Sequence, residues 1–90
     1  MVKGKKDSLG DMAVERIQTG VRLEKRLVKV LKGLAEYRDM SLGELIELIA
    51  MHALERHHAF SADALPLIKK VKDVYGMDYD VHDYEKFVES

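Results

Sequence analysis

The chain has 90 residues, 47% hydrophobic and 34% charged, which bounds it to one small domain near the size at which a single core stabilises only marginally. It contains no cysteine, so disulfide frameworks, thiol nucleophiles and cysteine-ligated metal sites are excluded and a reducing compartment is expected. The formal net charge of −1 conceals a division: residues 1–38 hold ten Lys and Arg against five Asp and Glu, a net of +5, and residues 39–90 hold five against eleven, a net of −6. Phosphate attraction follows the local field, so the basic half suits a nucleic-acid partner while the acidic half faces away.

Leu45 to Leu54 is the longest apolar stretch, and Glu47 and His52 interrupt it. It is too short to span a bilayer, and the N-terminus has no apolar signal core, so a soluble cytoplasmic protein is expected.

Residues 1–12 carry Lys3, Lys5 and Lys6 with Gly4 and Gly10 and show little periodicity, which predicts a flexible basic arm able to touch phosphates. From Ile17 the pattern changes to a period of two. Ile17, Thr19, Val21 and Leu23 share one side, and Gln18, Gly20 and Arg22 the other, as a short strand with one packed face requires. Leu23, Leu27, Val30, Leu31 and Leu34 then recur at helical spacing, with Lys25, Arg26, Lys29 and Lys32 on the remaining surface. This first helix should end near Tyr37.

Ser41 stands three residues before Glu44, the spacing of a capping box, and predicts a second helix from Leu42 with Leu42, Leu45, Ile46, Ile49, Ala50 and Ala53 on one side. Leu48 and Met51 fall on another face and need cover from a second subunit or from the C-terminal third. There, Leu65, Ile68, Val71, Val74 and Tyr75 form a further helical stripe, with Pro66 near its start and Gly76 at its end. Beyond Gly76, Met77 to Val81 alternates like a short strand, and Tyr84, Phe87 and Val88 suit a final helical turn or two.

A lone strand leaves its backbone donors and acceptors unpaired, and a two-stranded ribbon needs helices over its apolar face. A second copy would meet both needs. Two sets of Gln18, Gly20 and Arg22 would then project outward, and arginine and glutamine are the side chains that pair bidentately with guanine and adenine edges in the major groove. A palindromic site is the corollary.

Gly20-Val21-Arg22-Leu23-Glu24, the Leu27-x-x-Val30-Leu31-x-x-Leu34-Ala35 helix and Met40-Ser41-Leu42-Gly43-Glu44-Leu45-Ile46 together resemble the ribbon-helix-helix superfamily of Arc, MetJ and CopG type, over roughly residues 16–54. The resemblance implies a mainly α fold with one short strand, built as an intertwined homodimer that shares a two-stranded antiparallel ribbon. Residues 13–58 would form that domain and residues 59–90 a C-terminal helical extension packed on it. The implied function is sequence-specific binding of double-stranded DNA by a transcriptional regulator acting as a repressor. Gln18, Gly20 and Arg22 would contact bases, and the start of the second helix, at Ser41, Leu42 and Gly43, would contact phosphate together with Lys25, Lys3, Lys5 and Lys6. Two positions depart from the family's pattern: Gly20 offers no side chain at the middle reading position, and Asp39 stands where the interhelical turn often has glycine.

Each residue also has a plainer role. Arg22 would keep an exposed strand soluble, and Ser41 and Glu44 would cap a helix whatever else they do. The histidines His52, His57 and His58 lack accompanying cysteines or an HExxH pattern, and Asp78, Asp80, His82 and Asp83 read as a solvated acidic loop. No catalytic constellation, metal site or cofactor is expected. The rival reading is a protein-interaction module, of antitoxin type or otherwise, that uses the acidic C-terminal segment, residues 60–90, with weak or no DNA binding. If Met77 to Val81 paired with the Ile17 to Leu23 strand inside one subunit, Asp78 and Asp80 would crowd the face bearing Arg22 and neutralise it.

Overall fold

Each of three helices is fixed at both ends by local chemistry that the sequence supplies. In the computed structural model, which describes residues 12–89, α1 spans Lys25–Tyr37, α2 spans Leu42–Leu54 and α3 spans Leu65–Val74. Short 3₁₀ helices at Ala62–Ala64 and Val81–Lys86 precede α3 and follow it.

At the start of α1 the Glu24 carboxylate accepts the Leu27 amide at 3.0 Å, satisfying one of the donors that a helix N-terminus leaves open. For α2 the capping box forms in full: Glu44 N donates to Ser41 Oγ at 3.1 Å, and Ser41 N donates to Glu44 Oε1 at 2.8 Å. Pro66 lies in the first turn of α3, where its missing amide proton costs nothing. All three helices end in the same way. Met40 N reaches back to Ala35 O, His57 N to His52 O and Met77 N to Lys72 O, each across a residue in the left-handed region: Asp39 at φ 55°, Arg56 at φ 61° and Gly76 at φ 68°.

The buried core is small. Val30, Leu34 and Ala35 of α1 close on Leu45 of α2, with half-buried Leu31, Leu48, Ile49, Leu67, Ile68 and Val71 around them. α2 and α3 pack on α1 and not on each other. Gly33 sets the approach of α3, since a Cβ there would lie 3.3 Å from Val71 Cγ1 and 3.4 Å from Tyr75 Cε2.

The expected strand and the two-stranded ribbon are not found. Among the described residues there is no β-strand: residues 12–24 run without helix, strand or turn, and Met77 to Asp80 is likewise irregular. This overturns the ribbon-helix-helix fold class, which requires a two-stranded ribbon. Alternation reports which face of a segment is fit for burial, but a strand exists only where a second backbone offers hydrogen bonds, and among the described residues none lies alongside residues 17–23. Ile17, Thr19, Val21 and Leu23, expected to pack, are all exposed, Ile17 at 83% and Val21 at 70%. α2 also distributes its apolar residues differently from the expected stripe. Leu42, Leu48 and Ile49 flank buried Leu45, while Ile46, Ala50 and Ala53 are exposed. Met51 is 60% exposed, because α3 covers α1 and leaves this face of α2 open.

Candidate nucleic-acid interface

Arg22, the residue with the best chemistry for reading a base, is held by a carboxylate of its own chain. Its Nη2 lies 2.9 Å from both oxygens of Glu89, at the far end of the sequence. Gln18 and Gly20 are exposed beside it in the same irregular segment, and a Cβ at Gly20 would meet no atom within 4 Å. Nothing among the described residues requires glycine there.

The segment is tied to α2 by a second pair. Arg16 faces Glu47 in a bidentate arrangement, Nε to Oε2 and Nη2 to Oε1, both at 2.9 Å. The hydrogen bonds from Arg16 hold the Glu47 carboxyl below the usual range. Glu47 lies one turn beyond Glu44, so the pair brings the segment to the first half of α2, where the phosphate contact was expected. At that helix start Ser41 and Gly43 are exposed and Leu42 is half-buried. The Ser41 amide already donates to Glu44, which leaves the Leu42 and Gly43 amides as the donors the capping box does not engage. Glu44 is itself held below the usual carboxylate range, chiefly by the Ser41 amide and then by the Ser41 hydroxyl. It sets a negative charge beside the donors a phosphate would need, which weakens this anion site relative to a bare helix end.

Lys25, Lys29 and Lys32 are exposed and share one side of α1 by helical spacing. Lys3, Lys5 and Lys6, the expected arm contacts, lie outside the described residues.

Sequence reasoning missed a polar cluster at the root of α1. The Tyr79 hydroxyl donates to Glu24 Oε1, the same carboxylate that caps the helix. Arg26 Nε donates to the other oxygen, Glu24 Oε2, at 3.2 Å, and Nη1 donates to Asp78 Oδ1 at 3.2 Å and to Gly76 O at 3.3 Å. The Arg26 guanidinium also sits over the Tyr79 ring, 5.1 Å from its centroid. The Tyr79 hydroxyl, opposed by a smaller burial effect, pulls the Glu24 carboxyl down to about 2. Burial first, and the hydrogen bond to Glu24 second, push the Tyr79 hydroxyl up to about 12. The rival reading brings Asp78 and Asp80 to the face of Arg22; in the structure Asp78 pairs with Arg26 instead, and the carboxylate on Arg22 is Glu89.

An aromatic group closes the C-terminal segment on itself. The Phe87 ring meets Tyr79 edge-on with centroids 5.0 Å apart and Tyr84 at 5.3 Å. Val81, Tyr84 and Val88 remain largely exposed around it. Among the described residues no group of three or more His, Asp or Glu is placed to hold a metal ion, and no helix is long and apolar enough to cross a membrane.

No protein-family model, curated protein or solved structure matches this chain.

Proposed function

We propose that this chain binds double-stranded DNA as a homodimer and regulates transcription by occupying an operator and excluding other proteins from it. One observation carries the reading: the segment that bears Gln18 and Arg22 exposes Ile17, Val21 and Leu23, and among the described residues only Val30, Leu34, Ala35 and Leu45 are buried. So small a core stabilises a domain only marginally, and apolar side chains left in water beside a basic surface call for a second copy that covers them and doubles the basic groups. The division of charge, +5 before residue 39 and −6 after it, supports a phosphate partner for the N-terminal half.

The experiment is selection from a randomised duplex library at moderate salt, with Arg22→Ala beside wild type. Enrichment of a palindromic sequence is expected, and the variant should lose about 1–3 kcal/mol of specific binding while remaining a dimer. Equal enrichment by both proteins would remove Arg22 from the reading role.

A second reading has its own observation. Residues 77–89 combine five carboxylates with exposed Val81, Tyr84 and Val88, a composition suited to a basic protein partner. Absence of any enrichment beyond a salt-sensitive background would shift the assignment to that partner.

A further inference from the structure

In the DNA-binding reading, the residue that reads the base should face solvent and meet the duplex unopposed. Arg22 faces solvent, yet among the described residues its close polar contacts are to Glu89, 67 residues away in sequence. Residues 78–89 contain five carboxylates and one lysine, and two of those carboxylates, Asp78 and Glu89, take Arg26 and Arg22. The Glu89 carboxylate sets both of its oxygens against one nitrogen, Arg22 Nη2, and so occupies the donor that a guanine edge or a phosphate oxygen would take.

We infer that the acidic C-terminal segment is an internal competitor for DNA, seated on Arg22 in the free protein and displaced when the duplex binds. The inference rests on the DNA-binding reading and adds to it the element that regulates the site. Its parts are separable along the chain. Tyr79 is the anchor, fixed to the α1 cap by its hydroxyl and to Arg26 by its ring. Phe87 is the latch, folding back edge-on against Tyr79. Glu89, two residues beyond the latch, is the blocking group.

The energetics fit a device that can open. The Arg22 and Glu89 side chains are 86% and 76% exposed, and an ion pair so solvated is weak and screened by salt. Phe87 is only partly covered, so the latch too is held by modest contacts. A duplex offering several phosphates at once displaces a single carboxylate, whereas an isolated phosphate contact, or a weakly matched site, competes with it on nearly equal terms. The segment therefore raises the threshold for binding, by the same factor at every site that engages Arg22.

The test separates release of the segment from a simple change in charge. Phe87→Ala removes the latch and leaves the net charge as it was. In the full-length protein at low salt it should bind a labelled duplex about two- to fivefold more tightly than wild type, the range that one exposed ion pair supplies. Glu89→Gln, which keeps the latch, should produce a gain of the same size. Combined with Arg22→Ala, the Phe87→Ala gain should vanish, because the group that the segment blocks is then missing. Wild type and Phe87→Ala binding equally well would overturn the inference and leave the DNA reading standing. A gain that persists without Arg22 would overturn it too, since the segment would then act elsewhere. Binding by none of the proteins would overturn the DNA reading itself and the inference with it. Circular dichroism of each variant checks that the helices are intact.

Discussion

The Tyr79 hydroxyl donates to the Glu24 carboxylate that caps α1, so one oxygen, Glu24 Oε1, serves both the Leu27 amide at the helix start and a side chain that follows α3. This joins the first helix to the C-terminal segment through a group that must stay ionised on one side and neutral on the other. The Glu24 carboxyl is lowered from 4.5 to about 2, with the Tyr79 hydrogen bond as the largest cause. The stability it supplies is therefore complete above pH 4.5 and is lost as pH falls from 4.5 towards 2. Tyr79 is raised from 10.0 to about 12, with burial as the largest cause, so its contribution is complete below pH 10 and is lost between pH 10 and 12. Tyr79→Phe should lower stability at neutral pH and flatten both limbs of the stability profile. Glu44 and Glu47, also held low, keep part of the acid limb in the variant. Chemical denaturation at a series of pH values would show this, and an unchanged alkaline limb would place the effect of burial elsewhere.

Left-handed residues end all three helices, and only one of them is glycine. Gly76 adopts φ 68° without a Cβ to obstruct it, so Gly76→Ala should cost about 1 kcal/mol. Arg56 adopts φ 61° with a full side chain, a conformation that costs an ordinary L-residue about 1–2 kcal/mol relative to the right-handed one. Arg56→Gly should stabilise the protein by up to about 1 kcal/mol, less the few tenths that a cation contributes at a helix C-terminus. Asp39 at φ 55° should gain less from glycine, because a short polar side chain tolerates this region better. Thermal melts of the three variants give the order directly. Arg56→Gly and Gly76→Ala shifting the melt in the same direction would contradict it.

What the sequence shows, and what it does not, follows from range. The helices were legible because their signals are local: Leu27, Val30, Leu31 and Leu34 fall within a few turns, Ser41 and Glu44 are three apart, and Pro66 and Gly76 bracket α3. The 17–23 alternation is just as regular, yet it specifies only a two-faced segment. The hydrogen-bond partner that turns such a segment into a strand must come from elsewhere in space, and no spacing along the chain encodes it. For the same reason the candidate site was half visible. Gln18, Arg22 and the α2 start could be named from residue type and position, but the occupancy of Arg22 by Glu89 and of the Ser41 amide by Glu44 could not be read as a loss of availability. Glu24, Arg26 and Tyr79 carry no local pattern that singles them out, since 55 residues separate Tyr79 from Glu24.

Gly33 is a contact point. Glycine in the middle of a helix is less favourable than alanine by about 1 kcal/mol, and here the missing Cβ makes room for Val71 and Tyr75 of the α3 end. In Gly33→Ala the propensity gain and the few tenths of an ångström that Val71 must yield oppose each other, and the net effect should be small. Gly33→Leu has no such balance. Its side chain must push α3 away from α1, for a loss of about 1–3 kcal/mol. Amide hydrogen exchange should then accelerate across Leu65–Val74 while α2, which packs on the other part of α1, changes little. Uniform acceleration through all three helices would show instead that α3 is an integral part of a single cooperative unit.

The proposed homodimer makes the sharpest demand on concentration. Ile17 and Val21 are exposed in the irregular segment before α1, and Met51 and Leu54 are exposed on α2 with no helix across from them among the described residues. If a second copy covers these surfaces, folding and association are coupled, and the midpoint of thermal unfolding must rise with protein concentration. Ile17→Asp with Val21→Asp places two charges where the second copy would bury apolar groups, and desolvating an unpaired charge costs more than a surface contact returns. The variant should sediment as a monomer, melt at a temperature that no longer depends on concentration, and melt below wild type by an amount that grows as the wild-type concentration is raised. Met51→Lys separates the two surfaces, because it leaves residues 12–24 untouched and tests α2 alone. A wild-type melting temperature that is flat over a hundredfold range of concentration would exclude the dimer, and the exposed segment would then have to be explained by a different partner.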